Sequence, residues 1–173
     1  MKKVWLILVL ALFMTGCSAE QTWETVNDAY VQSVSAPVQQ VHFTLPENAS
    51  VPTLQSEEAG TLYMCDGYTV TLQALPAGDL DKTLLTVTGF SRKNLAVLQT
   101  TQGSCQKYAC VWTAAGEAEE QIGRACILDD GSHHYVLTAM APASSAGELR
   151  ETWQQVFSSF CLVPPDASVN TGS

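Results

Sequence analysis

A chain of 173 residues with 46% hydrophobic, 14% charged and 8% aromatic side chains is the size of one domain plus attachments, long enough to bury a real core. Its mean hydropathy of +0.08 excludes both a disordered chain and a multi-span membrane protein. The net charge of −9, from 8 basic and 17 acidic side chains, excludes a general nucleic-acid binder, which needs a basic surface.

The chain opens on Lys2 and Lys3, followed by the apolar run Val4–Met14 and then by Thr15, Gly16 and Cys17. Crossing a bilayer takes about 20 apolar residues, so this run is too short to span and reads as the hydrophobic part of a secretory signal. Met14-Thr15-Gly16-Cys17 resembles the lipobox of bacterial lipoproteins, with Met14 keeping the size and apolarity of the commoner Leu. The resemblance implies cleavage between Gly16 and Cys17 by the lipoprotein signal peptidase and a thioether-linked diacylglycerol on Cys17. Two acyl chains hold a protein stably on a membrane, where one is marginal. The implied location is the extracytoplasmic face of a cell membrane, inner or outer if the host has two. Residues 1–16 then form the signal peptide, 17–22 the lipidated Cys and a short tether, 23–163 a single domain and 164–173 a disordered tail. Losing Lys2 and Lys3 takes the net charge from −9 to −11, so anionic headgroups repel the body and the lipid alone holds it.

Along the mature chain, Trp23, Val26, Tyr30 and Val34 recur at helical spacing, and Ala36-Pro37 closes that helix. Val41, Phe43 and Leu45 alternate with polar residues as a strand up to Pro46, and residues 47–60 read as a loop. Asp66-Gly67 joins strands at Thr61–Cys65 and Tyr68–Ala74 as a hairpin. Asp79 caps a helix carrying Leu80, Leu84 and Val87, which Gly89 stops. Strand-like runs follow at Leu95–Thr101, Gln106–Ala114, Gln121–Asp129 and His133–Met140, the middle two joined by the acidic turn 116–120 and the last two by Asp130-Gly131. Ser145 to Glu148 has the pattern of a capping box, ahead of a helix with Leu149, Trp153, Val156, Phe157 and Phe160 in one wide apolar stripe.

About seven short hairpin-connected strands with amphipathic helices before, between and after them give an α+β domain: a roughly seven-stranded antiparallel sheet flanked by helices. This order of elements over residues 41–162 resembles the PsbP-like fold, whose members serve in binding and assembly. Tyr63-Met64-Cys65-Asp66-Gly67-Tyr68 and the run Leu128–Tyr135 also look like a group of bacterial lipoproteins with no known activity to carry over.

Five cysteines follow Cys17: Cys65, Cys105, Cys110, Cys126 and Cys161, an odd number in a compartment that permits disulfides. A hairpin centred on Ala118 would set Cys110 opposite Cys126, making that pair a candidate disulfide, whereas a register shifted by one residue would put them on opposite faces. Lys107 and Arg124 lie near Cys105 and Cys126, but no Cys-x-x-Cys and no helix N-terminus is present to activate a thiol. Adjacent strand residues point to opposite faces, so His133 and His134 do not share one ion; a metal site would need one of them with Asp129, Asp130 or a Cys from another strand. The plainer reading puts one histidine at a strand start in water and the other near the sheet edge. The acids at Glu117, Glu119 and Glu120 and at Asp129-Asp130 read as solvated turns, and Trp112 and Trp153 as core. No Gly-x-Ser-x-Gly, phosphate loop or His-Glu-x-x-His occurs.

The expected function is therefore that of a lipid-anchored, non-enzymatic binding or scaffold domain. It needs no cofactor beyond its covalent acyl lipid, and its partner is an extracytoplasmic protein or small ligand. A Cys/His-dependent envelope enzyme and a metal-binding lipoprotein are the alternatives.

Overall fold

The computed structural model describes residues 38–47, 49–50, 53–56 and 60–163. Gly16, Cys17, the helix expected over Glu20–Val34 and the expected tail lie outside the described residues. Nine strands and two helices are present among those described: β1 (Val41–His42), β2 (Thr53–Ser56), β3 (Gly60–Cys65), β4 (Tyr68–Pro76), α1 (Leu80–Thr88), β5 (Leu98–Gln102), β6 (Cys105–Ala115), β7 (Glu120–Asp129), β8 (His133–Pro142), α2 (Ala146–Ser159) and β9 (Cys161–Leu162). Seven strands form one antiparallel sheet in the order β2-β3-β4-β8-β7-β6-β5, and β1 pairs with β9 in a two-stranded ribbon.

The path follows from short connections. β2-β3-β4 is one meander and β5-β6-β7-β8 another, and α1 carries the chain from β4 to the far edge so that the second meander returns β8 to the side of β4. Two helices then have two faces to cover. α2 lays Trp153, Val156 and Phe157 on the face that carries Val70, Cys126, Leu128, Tyr135 and Leu137, and Phe160 follows at its end. α1 lays Leu84 on the opposite face against Cys110, Trp112, Ala125, Ile127 and Val136. β8 sits in the middle of the sheet and is buried on both faces along almost its whole length.

Local signals explain most boundaries. Asp79 accepts from the Asp81 N–H at 3.0 Å, satisfying one of the orphan donors of α1. Gly89 ends that helix at φ 77°, a left-handed conformation that costs glycine nothing, and its N–H reaches Leu85 O at 2.8 Å.

Several expectations are corrected. The loop at 47–60 contains the edge strand β2, whose four residues, Thr-Leu-Gln-Ser, are too few and too polar to show a period of two. Only Val41 and His42 of the run ending at Leu45 make ladder bonds, and their partner is the unforeseen β9. The run beginning at Leu95 becomes a strand only at Leu98, because Arg92–Asn94 form a 3₁₀ turn and Leu95 and Val97 pack under α1. The capping box does not form: Ala143–Ser145 is a 3₁₀ turn running straight into α2, and Ser145 at φ −87°, ψ −3° is already helical, so its hydroxyl makes no capping bond.

The disulfide expected between Cys110 and Cys126 is also corrected. Ala115 pairs with Glu120, so four residues make the turn and Cys110 falls opposite Ala125, while Cys126 falls opposite Ala109. That one-residue difference sends Cys110 into the core under α1 and Cys126 into the core under α2. Both are free thiols.

Candidate functional site

The chemistry-bearing side chains collect where β7 turns into β8. Asp130 Oδ1 accepts from the N–H groups of Ser132 and His133 at 2.8 and 2.7 Å and from the Ser132 hydroxyl at 2.7 Å. Asp130 Oδ2 accepts from the Tyr135 hydroxyl at 3.1 Å and from the Gln39 side-chain amide at 2.8 Å, and the Gln39 N–H donates to the Tyr135 oxygen at 2.8 Å. Partial burial pushes the Asp130 carboxyl up. The donors of Ser132, His133 and Tyr135 outweigh it and bring the group down to about 2, so it is a fixed anion. Burial also raises the Tyr135 phenol, which stays protonated and donates. A turn acid expected to be solvated is thus the knot that ties residue 39 to the central strand.

Two openings flank that knot. One, of about 550 Å³, runs between Val38–Val41 on one side and Gly60, Thr61, Leu72 and Ala74 on the other, with Tyr135 at its floor and Gln73 on its wall. The other, of about 340 Å³, is lined by Gln39, Gln102–Cys105, Leu128 and Cys161–Val163. No residue lining either opening carries a formal charge. Their lining suits an apolar, uncharged group that also uses amide hydrogen bonds.

Of the thiols, Cys105 and Cys161 line the second opening, with no histidine or carboxylate among its lining residues, and Cys65, Cys110 and Cys126 line neither. Cys126 is pushed up to about 11 by burial, which outweighs the cations Lys107 and Arg124 nearby, the reverse of an activated thiolate. Burial likewise raises Cys110 and Cys65. Arg124, lowered by its own burial, stacks over the Phe157 ring at 4.6 Å.

His133 and His134 do face opposite ways, and neither is in water or at an edge, because β8 is the central strand. His133 meets Ser132 Oγ at 3.0 Å and the Tyr135 ring. His134, only 1% exposed, shares a hydrogen bond of 2.7 Å with Thr83 Oγ1 of α1, and its Nε2 stands 3.6 Å from Asp129 Oδ2, the residue opposite it in the β7–β8 register. This contact ties α1 to the sheet beneath a closed core. Among the described residues no three His, Cys, Asp or Glu side chains come close enough together to hold a metal ion.

Sequence reasoning missed Gln39, Gln102 and the shared placement of Cys105 and Cys161. Nothing local marks them: the ribbon β1–β9 that gathers them joins residues some 120 positions apart. Tyr135 stood only as the end of a motif whose role was open.

No protein-family model matches the sequence, and no curated protein is significantly similar to it. Solved structures are similar in shape. LpqN, involved in cell envelope biogenesis of Mycobacterium tuberculosis, superposes with a TM-score of 0.52 at 10% identity over 76% of this chain and 88% of its own. The cyanobacterial PsbP (CyanoP) of Synechocystis sp. PCC 6803 gives 0.51 at 8% identity over 71% of this chain and 86% of its own. The fold is PsbP-like. At these identities the likeness establishes architecture alone. In this PsbP-like body, no helix among the described residues is long and apolar enough to cross a membrane.

Proposed function

We propose that this chain is a lipid-anchored extracytoplasmic protein whose PsbP-like body binds a neutral, largely apolar group of a partner in the cleft between Val38–Val41 and β4. The observation that carries the reading is Met14-Thr15-Gly16-Cys17 at the end of a secretory signal, ahead of a body that offers an uncharged 550 Å³ cleft. The similarity to LpqN, described as involved in cell envelope biogenesis, supports an envelope role. Binding is favoured over catalysis because burial holds Cys65, Cys110 and Cys126 protonated, because no histidine or carboxylate lines the opening that Cys105 and Cys161 share, and because His134 is spent on packing α1.

Ala74 lies on the cleft wall, opposite Tyr135 in the β4–β8 register, and Leu85 is exposed on α1 well outside it. A photoreactive amino acid placed at position 74 and irradiated on intact cells is expected to give a discrete adduct, with none from position 85. No adduct from position 74, or the same adducts from both, would overturn the assignment of the cleft.

A further inference from the structure

The five described thiols are not equivalent in placement. Cys110 lies alone under α1. Cys65 closes the β3–β4 turn beside Tyr68, at the Met140 end of β8, whereas Cys105 begins β6 at the His133 end. At about 3.3 Å per residue those ends are roughly 20 Å apart. Cys126 faces Ala109, four residues along β6 from Cys105 and therefore about 13 Å from it. Cys105 and Cys161 are the remaining two, and both line the same 340 Å³ cavity. The segments that carry them are already joined, since the Gln102 amide donates to Phe160 O at 3.0 Å and the Lys107 ammonium donates to Gln102 Oε1 at 2.7 Å.

We infer that Cys105 and Cys161 are a disulfide pair that closes this cavity and rivets the β1–β9 ribbon to the β5–β6 hairpin. The placement stands on geometry; oxidation in the cell rests on the extracytoplasmic reading above. Cys161 is the more accessible of the two, so it attacks first. Its thiolate displaces one thiol from a disulfide donor, and Cys105 then displaces the second from the mixed disulfide. One S–S bond forms in the chain, the donor's is reduced to two thiols, and the protons lost by Cys105 and Cys161 end on them. The bond requires a Cα separation of about 5–6 Å across the cavity that both residues line.

Trypsin separates these cysteines, because cleavage after Lys93, Lys107 and Arg150 puts Cys105 in peptide 94–107 and Cys161 in peptide 151–173. The full chain, purified reduced, treated with oxidised glutathione, then unfolded in urea, alkylated and digested without reductant, is expected to yield these two peptides linked. Cys65, Cys110 and Cys126 should carry the alkyl label, and Cys105→Ser should leave Cys161 labelled or glutathionylated. Peptides 94–107 and 151–173 recovered unlinked, or either joined to a third cysteine, would overturn the pairing. The same digest of protein alkylated directly in acid-quenched cells separates the two claims. Linked peptides there uphold both, and a reduced pair that still closes with oxidised glutathione upholds the pairing but overturns the extracytoplasmic location.

Discussion

Gly123 is the residue at which the packing under α1 makes its sharpest demand. It lies opposite Trp112 on β6 and Met140 on β8, so the indole passes directly over it. A Cβ added there would fall on Cε2 and Cζ2 of Trp112, closer than real Cβ atoms approach, and 2.7 Å from Met140 Sδ. The thioether can turn aside, but the indole is 7% exposed, within a core shared with Leu84, Cys110 and Ile127. Gly123→Ala must therefore either overpack the site, at about 1–3 kcal/mol, or swing the indole out and lose a comparable amount of burial. Either route costs about 2 kcal/mol, or a fall in Tm of about 4–8 °C for a domain of this size. Urea unfolding of the purified chain followed by tryptophan fluorescence measures it. The cost should shrink in a Trp112→Phe background, whose shorter ring ends before the added methyl, giving a coupling of about 1 kcal/mol or more. A Gly123→Ala protein as stable as the wild type, or one destabilised equally in both backgrounds, would refute the packing described.

The two helix starts make a contrasting pair: Asp79→Ala should cost about 1 kcal/mol by urea unfolding, whereas Ser145→Ala should be close to neutral, because only Asp79 makes a capping bond. Asp130 falls from an ordinary value of 3.8 to about 2 on folding, so its contribution is complete above about pH 4 and lost as pH drops through about 2. Discounted for solvent screening it amounts to about 1–2 kcal/mol, and acid titrations of stability should show Asp130→Asn lacking that part of the decline. Cys126 rises from 9.0 to about 11, so its neutral thiol favours the fold below about pH 9 and that support is lost as pH rises through about 11. Iodoacetamide at pH 8 should label it only after unfolding, and fast labelling of the native protein would contradict its burial.

The fold was legible wherever a local rule acts alone. Asp66-Gly67, Asp79 and Gly89 mark a turn, a cap and a stop by backbone chemistry that needs no tertiary partner, and the stripe from Leu149 to Phe160 demanded a broad apolar surface, which the sheet supplies. Legibility ended where tertiary structure chooses between equal local options. The acidic turn after Ala115 has no residue that fixes its length, and a difference of one residue decided whether Cys110 could meet Cys126. Ser145 has the composition of a cap, but the 3₁₀ turn before it supplies helical geometry instead. His133 and His134 read as marginal because polar residues usually sit outside, whereas the β4–β8 pairing places them at the centre of the sheet. The openings were least legible of all, since Gln39, Cys105, Tyr135 and Cys161 meet only through the β1–β9 pairing and the Asp130 bonds.

In the proposed function, one acylated sulfur at Cys17 holds an acidic body at the extracytoplasmic face of a membrane. Cells expressing the wild-type chain or Cys17→Ser, fed an alkyne analogue of palmitate and then fractionated, test it most directly. The expected result is a labelled wild type in the membrane pellet and an unlabelled Cys17→Ser protein in the soluble fraction. A Cys17→Ser protein that still incorporates the label, or still pellets with the membranes, would contradict it.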